Sequence, residues 1–321
     1  MPDIATAGRR QLAMERLGGE IRLVRESAGL SQKMLGDALG CTQGKINKLE
    51  DGSNRVKLPE LEKIIEVCGV GEEHAENLRK QAYEIEELPN SMAQPSVPAW
   101  FQKFAVLEPA ASAVFSWHTE RLPGLLQTEH YMHKQFSAAG VAGGELARHW
   151  RARRSRKEIF DLDQPPKYHF VLGESCLYRT PDGFSPFVVW DEAQYLAELA
   201  DRYPGVVTVQ VLPFTARLPF APTDFTIMSF AAGQKRDYIY IEHPAGGTEI
   251  KAEADIQLFH LARQRLIDAA LDPDESREFL NTVVAYAREL SETDAAADYR
   301  RQTAPLMIHT LGVGRRKGPS T

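Results

Sequence analysis

The stretch from Leu30 to Gly52, LSQKMLGDALGCTQGKINKLEDG, constrains this chain more than any other, because its punctuation admits few folds. Ser31 stands where an N-cap hydroxyl takes an orphan amide, and Leu30 with Leu35 holds the two positions of a hydrophobic staple. Gly40 falls where a left-handed residue ends a helix. Thr42 then repeats the cap, and Cys41 with Ile46 repeats the staple. The pattern is two short helices joined by a tight turn. Their apolar set is small: Leu35, Ala38 and Leu39, then Ile46 and Leu49. The second helix therefore has one narrow apolar stripe, and elsewhere it presents Gln43, Gly44, Lys45, Asn47 and Lys48. Gln, Asn and Lys read base edges or phosphates in a major groove, so the expectation is a helix-turn-helix that meets double-stranded DNA.

The flanking sequence completes a bundle. A first helix from about Leu12 to Ala28 places Leu17, Ile21, Val24 and Ala28 on one face, and Gly29 ends it. Beyond the polar loop DGSNRVK, Pro59 suits the first turn of a helix carrying Leu61, Ile64, Ile65 and Cys68. Glu72 to Leu88 makes a fifth. The expected first domain is thus all-α, five helices over residues 12–88. Its charge is divided. Residues 61–92 hold eight acidic and three basic side chains, whereas residues 43–57 hold Lys45, Lys48, Arg55 and Lys57 against Glu50 and Asp51. One side of such a bundle can approach a phosphate backbone, with Arg55 and Lys57 in the loop as phosphate contacts.

With 321 residues, two domains are expected. Residues 89–98, PNSMAQPSVP, read as a linker, residues 99–290 as a second domain, and residues 291–321 as a disordered tail. In the second domain Ala99–Trp117 reads as an apolar helix, ERLPGLLQTEHYMHKQF turns at Pro123-Gly124 into another, and further helices are expected near 144–162, 191–203, at Ile250–Leu261 and at Asp274–Leu290. Strands are expected at KYHFVLGE, VVTVQVLPF, DFTIMSF and DYIYIEH. The class is α+β with about four strands. A net charge of −6 argues against a chain coated with nucleic acid but not against one local reading patch. Cys41, Cys68 and Cys176 lack metal spacing and fit a reducing compartment. No run nears eighteen apolar residues, and the N-terminus has no apolar leader core, so no membrane partner and a cytoplasmic location are expected.

Other candidate sites have weaker support. His130 and His133 are three apart on a helix, but no third ligand follows, so no metal and no cofactor are expected. Glu174, Ser175 and Cys176 follow a strand without a glycine elbow, and no catalytic residue is assigned; the chain is read as not an enzyme. The run Arg148–Lys157, RHWRARRSRK, has six basic residues and no acidic one. It reads either as a solvated face, or as an extension of the DNA footprint or a grip for an acidic partner through Arg148, Arg151 and Arg154. The aromatics Trp100, Phe104, Trp117, Tyr131, Trp150 and Phe160 read mostly as core.

SQKMLGDALGCTQGKINKLEDG also resembles the core of the Cro/C1-type (XRE) repressor-like family, over about Leu17 to Leu88. The resemblance implies that Gln32 bonds a phosphate and that Thr42, Gln43, Gly44, Lys45 and Lys48 face the bases. Gly44 departs from the family, which often has a side chain there. PGLLQTEHY, VLGESCLYR and VVTVQVLPF resemble the C-terminal domain of unknown function of actinomycete XRE-type regulators, over about Pro98 to Leu290. Some of those are antitoxin-like and are encoded beside a small partner protein. The expectation is a transcriptional regulator binding operator DNA as a homodimer, its second domain mediating dimerisation and partner or signal sensing. The alternative is an antitoxin-like protein that holds a small partner and autoregulates.

Overall fold

A computed structural model describes residues 4–88, 99–231 and 236–292, which fall into two compact units. The expected linker at 89–98 and most of the expected tail lie outside the described residues.

The first unit is helical: α1 (Ile4–Ser27), α2 (Gln32–Leu39), α3 (Gln43–Glu50), α4 (Leu58–Cys68), α5 (Glu72–Glu87), α6 (Ala99–Leu107) and a 3-10 turn at Glu108–Ala110. Its core joins Leu17, Ile21 and Val24 of α1 to Leu35, Ile46, Leu49, Leu61, Ile64, Leu78 and Ile85. Each such side chain, fully buried, contributes ~1.5–3 kcal/mol. Helix α1 begins at Ile4, well before the expected Leu12. The extra turns lack apolar periodicity but are used: Gly8 lies so close to α6 that a Cβ there would sit 2.6 Å from the Val106 carbonyl. Arg10 Nη1 donates to the Ile85 carbonyl at 2.7 Å near the end of α5.

The second unit holds β1 (Ala113–His118), α7 (Glu129–Ala138), α8 (Gly143–Lys157), β2 (Lys167–Gly173), α9 (Ser175–Tyr178) and α10 (Pro186–Arg202). It continues with β3 (Val207–Leu212), β4 (Phe225–Ser229), β5 (Tyr238–His243), β6 (Gly246–Ile250), α11 (Glu253–Ala269) and α12 (Pro273–Glu292). Its sheet has six strands among the described residues, in the order β3-β2-β1-β4-β5-β6. β1, β2 and β3 are parallel, with Phe115 beside His169 and Val171 beside Gln210. β4, β5 and β6 are antiparallel neighbours. Ser112, just before β1, bonds Ser229 at the end of β4, and Thr119, just past β1, bonds Asp224 just before β4. β1 and β4 therefore run antiparallel, and the sheet changes from parallel to antiparallel at β1.

Three sequence expectations fail here. The strand count is six, not about four, and the helix expected over Ala99–Trp117 ends at Leu107, with Phe115 and Trp117 on β1. Val114 to Trp117 are buried on both faces, so β1 shows none of the alternation that marks a half-exposed strand. The second missed strand, β6, opens on two glycines. In α11 the expected stripe of Ile250, Ala254, Leu258 and Leu261 is wrong: Ile250 ends β6, Leu258 is 63% and Leu261 48% exposed, and Ile256 and Leu266 are buried instead. The helix carries apolar residues on nearly every side, which leaves its periodicity ambiguous.

Candidate nucleic-acid interface

Local chemistry fixes the two helices. Ser31 Oγ accepts from the Met34 amide at 3.1 Å, and Thr42 Oγ1 accepts from the Lys45 amide at 3.2 Å. Gly40 closes α2 with φ 67° and ψ 35°, the left-handed conformation open to glycine at little cost. Within the turn, the Cys41 amide donates to the Gly36 carbonyl at 2.8 Å. Close approach is built in: a Cβ at Gly36 would lie 2.8 Å from the Cys41 carbonyl, and one at Gly18 would lie 2.5 Å from that of Leu49. Alpha1 thereby seats directly on α3.

In α3, Ile46, Leu49 and Glu50 are buried, while Gln43, Gly44, Lys45, Asn47 and Lys48 are exposed, as is the cap Thr42. At 100° per residue the outward stripe runs through Gly44 and Lys48, flanked by Gln43 and Asn47 on one side and Lys45 on the other. Three of the expected contacts are already engaged. Lys45 is ion-paired with Glu60 of α4, which holds its ammonium pKa above the ordinary lysine value. Arg55 Nη2 lies 3.4 Å from Glu86 Oε1. Gln32 Nε2 donates to Glu50 Oε2 at 2.8 Å and lies 3.4 Å from Asn47 Oδ1, so the residue expected on a phosphate braces α2 against α3. Lys57, exposed, precedes α4 at its N-cap position.

Sequence reading missed Glu50. Its carboxylate is buried, taking Arg25 Nε at 2.5 Å and Arg25 Nη2 at 3.0 Å, with Arg22 Nε at 3.4 Å. Burial works to raise this carboxyl, but the bonds from Arg25 and Gln32 outweigh it and hold the pKa below the ordinary value. Arg25 Nη1 also donates to the Leu30 carbonyl at 2.7 Å. One fork thus ties the end of α1, the entry to α2 and the end of α3. The only sequence signal was a charged pair twenty-five residues apart, which nothing local connects.

Residues 16–78 match a family described as a helix-turn-helix domain. Residues 101–282, more than half of the chain, match the family described as a domain of unknown function, DUF5753. The chain belongs to the DUF5753 family. Two curated relatives are each 43% identical over 54 residues, 17% of this chain: an "Uncharacterized HTH-type transcriptional regulator" of Sinorhizobium medicae (strain WSM419) and "Uncharacterized HTH-type transcriptional regulator R00410" of Rhizobium meliloti (strain 1021). The chain spans 39% of the length of these relatives.

Within the DUF5753 match, the PGLLQT string has a structural account. Leu122, Leu125 and Leu126 are buried, and Gln127 Nε2 closes the loop on the Leu122 carbonyl at 2.7 Å. Thr128 caps α7 by accepting from the Tyr131 amide, while its own amide donates to Glu192 Oε1 at 2.5 Å. Burial pushes the Glu192 carboxyl up to about 8. Glu174 accepts from the Phe214 amide at 2.7 Å. His130 is held by Asp191 at 3.0 Å, and His133 is exposed. No group of three or more His, Cys, Asp or Glu among the described residues is arranged to hold a metal ion.

Phe104, Trp117, Tyr131 and Phe160 are core, Trp150 is half-buried and Trp100 is 41% exposed. A row missed in the sequence joins Ser116 Oγ to His118 Nε2 at 2.9 Å and His118 Nδ1 to Asp224 Oδ2 at 3.5 Å. The order is that of a hydrolytic triad. Ser116 is buried, however, and its hydroxyl is shared with Thr226 at 2.8 Å, so the row fastens β1 to β4. The basic run splits by face along α8: Arg148, Arg151 and Arg154 are exposed, and Arg153, Arg156 and Lys157 turn inward and are half-buried. No described helix is long and apolar enough to cross a membrane.

Proposed function

We propose that this chain is a sequence-specific DNA-binding transcriptional regulator and not an enzyme, with α3 reading the major groove and the DUF5753 domain governing that binding. The carrying observation is α3 itself, capped, clamped at its buried end by Arg25 and Glu50, and bare of apolar groups on its outward stripe. The relatives' name as HTH-type transcriptional regulators supports the reading. One such helix contacts only a few base pairs, too few to find a site in a genome, so the active form is a homodimer on half-sites about 34 Å apart. The exposed row of Arg148, Arg151 and Arg154 supports a second reading of the same domain, a surface for a small acidic partner protein as in antitoxin-like regulators.

Selection of DNA from a random pool, followed by titration of the recovered site, tests the proposal. Gln43→Ala and Lys48→Ala each weaken the cognate site by ~1–3 kcal/mol and relax one base position. Arg55→Ala weakens all sequences alike and lowers the salt slope by roughly one. Equal loss on cognate and random DNA for Gln43→Ala removes the base-reading role.

A further inference from the structure

The inward row of α8 lies outside the helix-turn-helix match. Arg153, Arg156 and Lys157 stand at i, i+3 and i+4, so they leave the helix on one face. Lys157 is tethered: its Nζ donates to the Gln127 carbonyl at 2.5 Å, lies 3.3 Å from the Tyr195 hydroxyl and sits 4.4 Å from that ring's centroid. Arg153 has no tether. Among the described residues it has no hydrogen-bond or ion-pair partner, although its guanidinium is pressed into the PGLLQT loop. A Cβ added at Gly124 would lie 1.4 Å from Arg153 Nη1, so the guanidinium occupies the space that a side chain at this position would take.

The charges acting on Arg153 make its isolation sharper. They are Arg156, Arg121 and a single carboxylate, Glu242, which Arg121 Nη2 already holds at 3.0 Å. Burial, with Arg156 and Arg121 adding to it, pushes the Arg153 pKa down to about 10. A guanidinium carries five donors and no acceptor, and Arg153, half-buried with no protein partner among the described residues, keeps those donors for solvent or an anion. The same chain satisfies another inward arginine, Arg25, with a bidentate carboxylate. The loop bearing Arg121 and Gly124 also follows the carboxyl end of β1, where the sheet changes from parallel to antiparallel. In open α/β sheets, ligands bind outside the carboxyl ends of strands where the strand order reverses, and here β2 and β4 lie on opposite sides of β1.

We propose that Arg153, with Arg121 of the loop and Arg156 of α8, forms a binding site for a compact dianion of the phosphate type. Gly124 leaves room for the guanidinium, Arg153 supplies the unspent donors, and the two neighbouring arginines favour negative charge beside it. The site belongs to the DUF5753 domain and stands whether or not α3 reads DNA.

Calorimetric titration of the full chain with inorganic phosphate, and separately with phenyl phosphate, tests this at an ionic strength matched by chloride. Saturable binding of either probe is expected, tighter phenyl phosphate pointing to a monoester as the natural ligand. Arg153→Gln should weaken binding about tenfold or more, the loss of a charge-assisted bond. Arg148→Gln, on the outer face, should leave it unchanged. Arg121→Gln gives a second test should Arg153→Gln fail to fold, and it too should weaken binding. No saturable heat beyond chloride, or equal affinity in both inward variants and the wild type, overturns the site, as does an equal loss in Arg148→Gln.

Discussion

Replacement of Glu50 by alanine tests whether the buried fork holds α3 in place. The side chain of Glu50 is fully buried and that of Arg25 nearly so, and two parallel bonds of 2.5 and 3.0 Å join them. Removing one partner of a buried pair leaves an uncompensated charge and costs about 3–5 kcal/mol. Here Glu50→Ala also frees Gln32 and strands the Arg25 guanidinium beneath α3. A domain with about 5–15 kcal/mol in hand keeps its fold at reduced margin. Hydrogen exchange of the full chain, read by mass spectrometry on peptides from α1 and α3, should show roughly a hundred- to several-thousand-fold faster exchange. Arg25→Met/Glu50→Leu should recover most of the loss, short of about 1 kcal/mol for the bond to the Leu30 carbonyl. The pH dependence has a fixed sign: the carboxyl pKa is depressed, so its contribution is complete above the unfolded value near 4.5 and is lost as pH falls through the lower folded value. An α3 opening energy unchanged within about 1 kcal/mol, or a double variant no better than Glu50→Ala, would refute the clamp.

The neighbouring glycines of α1 should respond oppositely. Gly18→Ala should cost ~1–3 kcal/mol because its Cβ meets the Leu49 and Glu50 carbonyls, whereas Gly19→Ala, with nothing within 4 Å, should stabilise α1 by up to ~1 kcal/mol; thermal melting of both variants decides it. Glu60→Gln releases Lys45 from its ion pair and should tighten DNA binding at low salt in a filter or anisotropy titration, and a weaker complex would count against Lys45 as a DNA contact. Glu192 is protonated in the folded domain up to about pH 8, so the stability it lends falls as pH rises from about 4.5 to 8; Glu192→Gln, which keeps an acceptor for the Thr128 amide, should flatten that slope in pH-dependent melts, and an unchanged slope rejects the buried acid.

Features set by neighbours in sequence were legible, and those set by distant packing were not. Both caps, the Gly40 turn and the five helices of residues 12–88 could be read because each signal lies within a few residues of its effect. The basic run on α8 was visible as composition, but its division into an outer row and an inner row depends on the loop at Gly124, thirty residues away. Reading charge alone singled out Arg148, Arg151 and Arg154 and passed over Arg153.

VVTVQVLPF shows how a correct expectation can rest on a misleading pattern. It reads as the clearest alternating strand, which suggests one wet face, and β3 is indeed there. Yet β3 is buried nearly throughout, including Gln210 in the position that alternation assigns to solvent. Gln210 Oε1 lies 2.5 Å from His169 Nε2 on β2, and its Nε2 donates to the Leu271 carbonyl at 2.8 Å. A buried amide is tolerable only with such partners. The polar residue that mimicked an exposed face is thus a fastener inside the sheet, linking β3 to β2 on one side and to the start of the α12 region on the other. Alternation in a sequence records chemistry, and only packing decides whether a polar position meets water or another side chain.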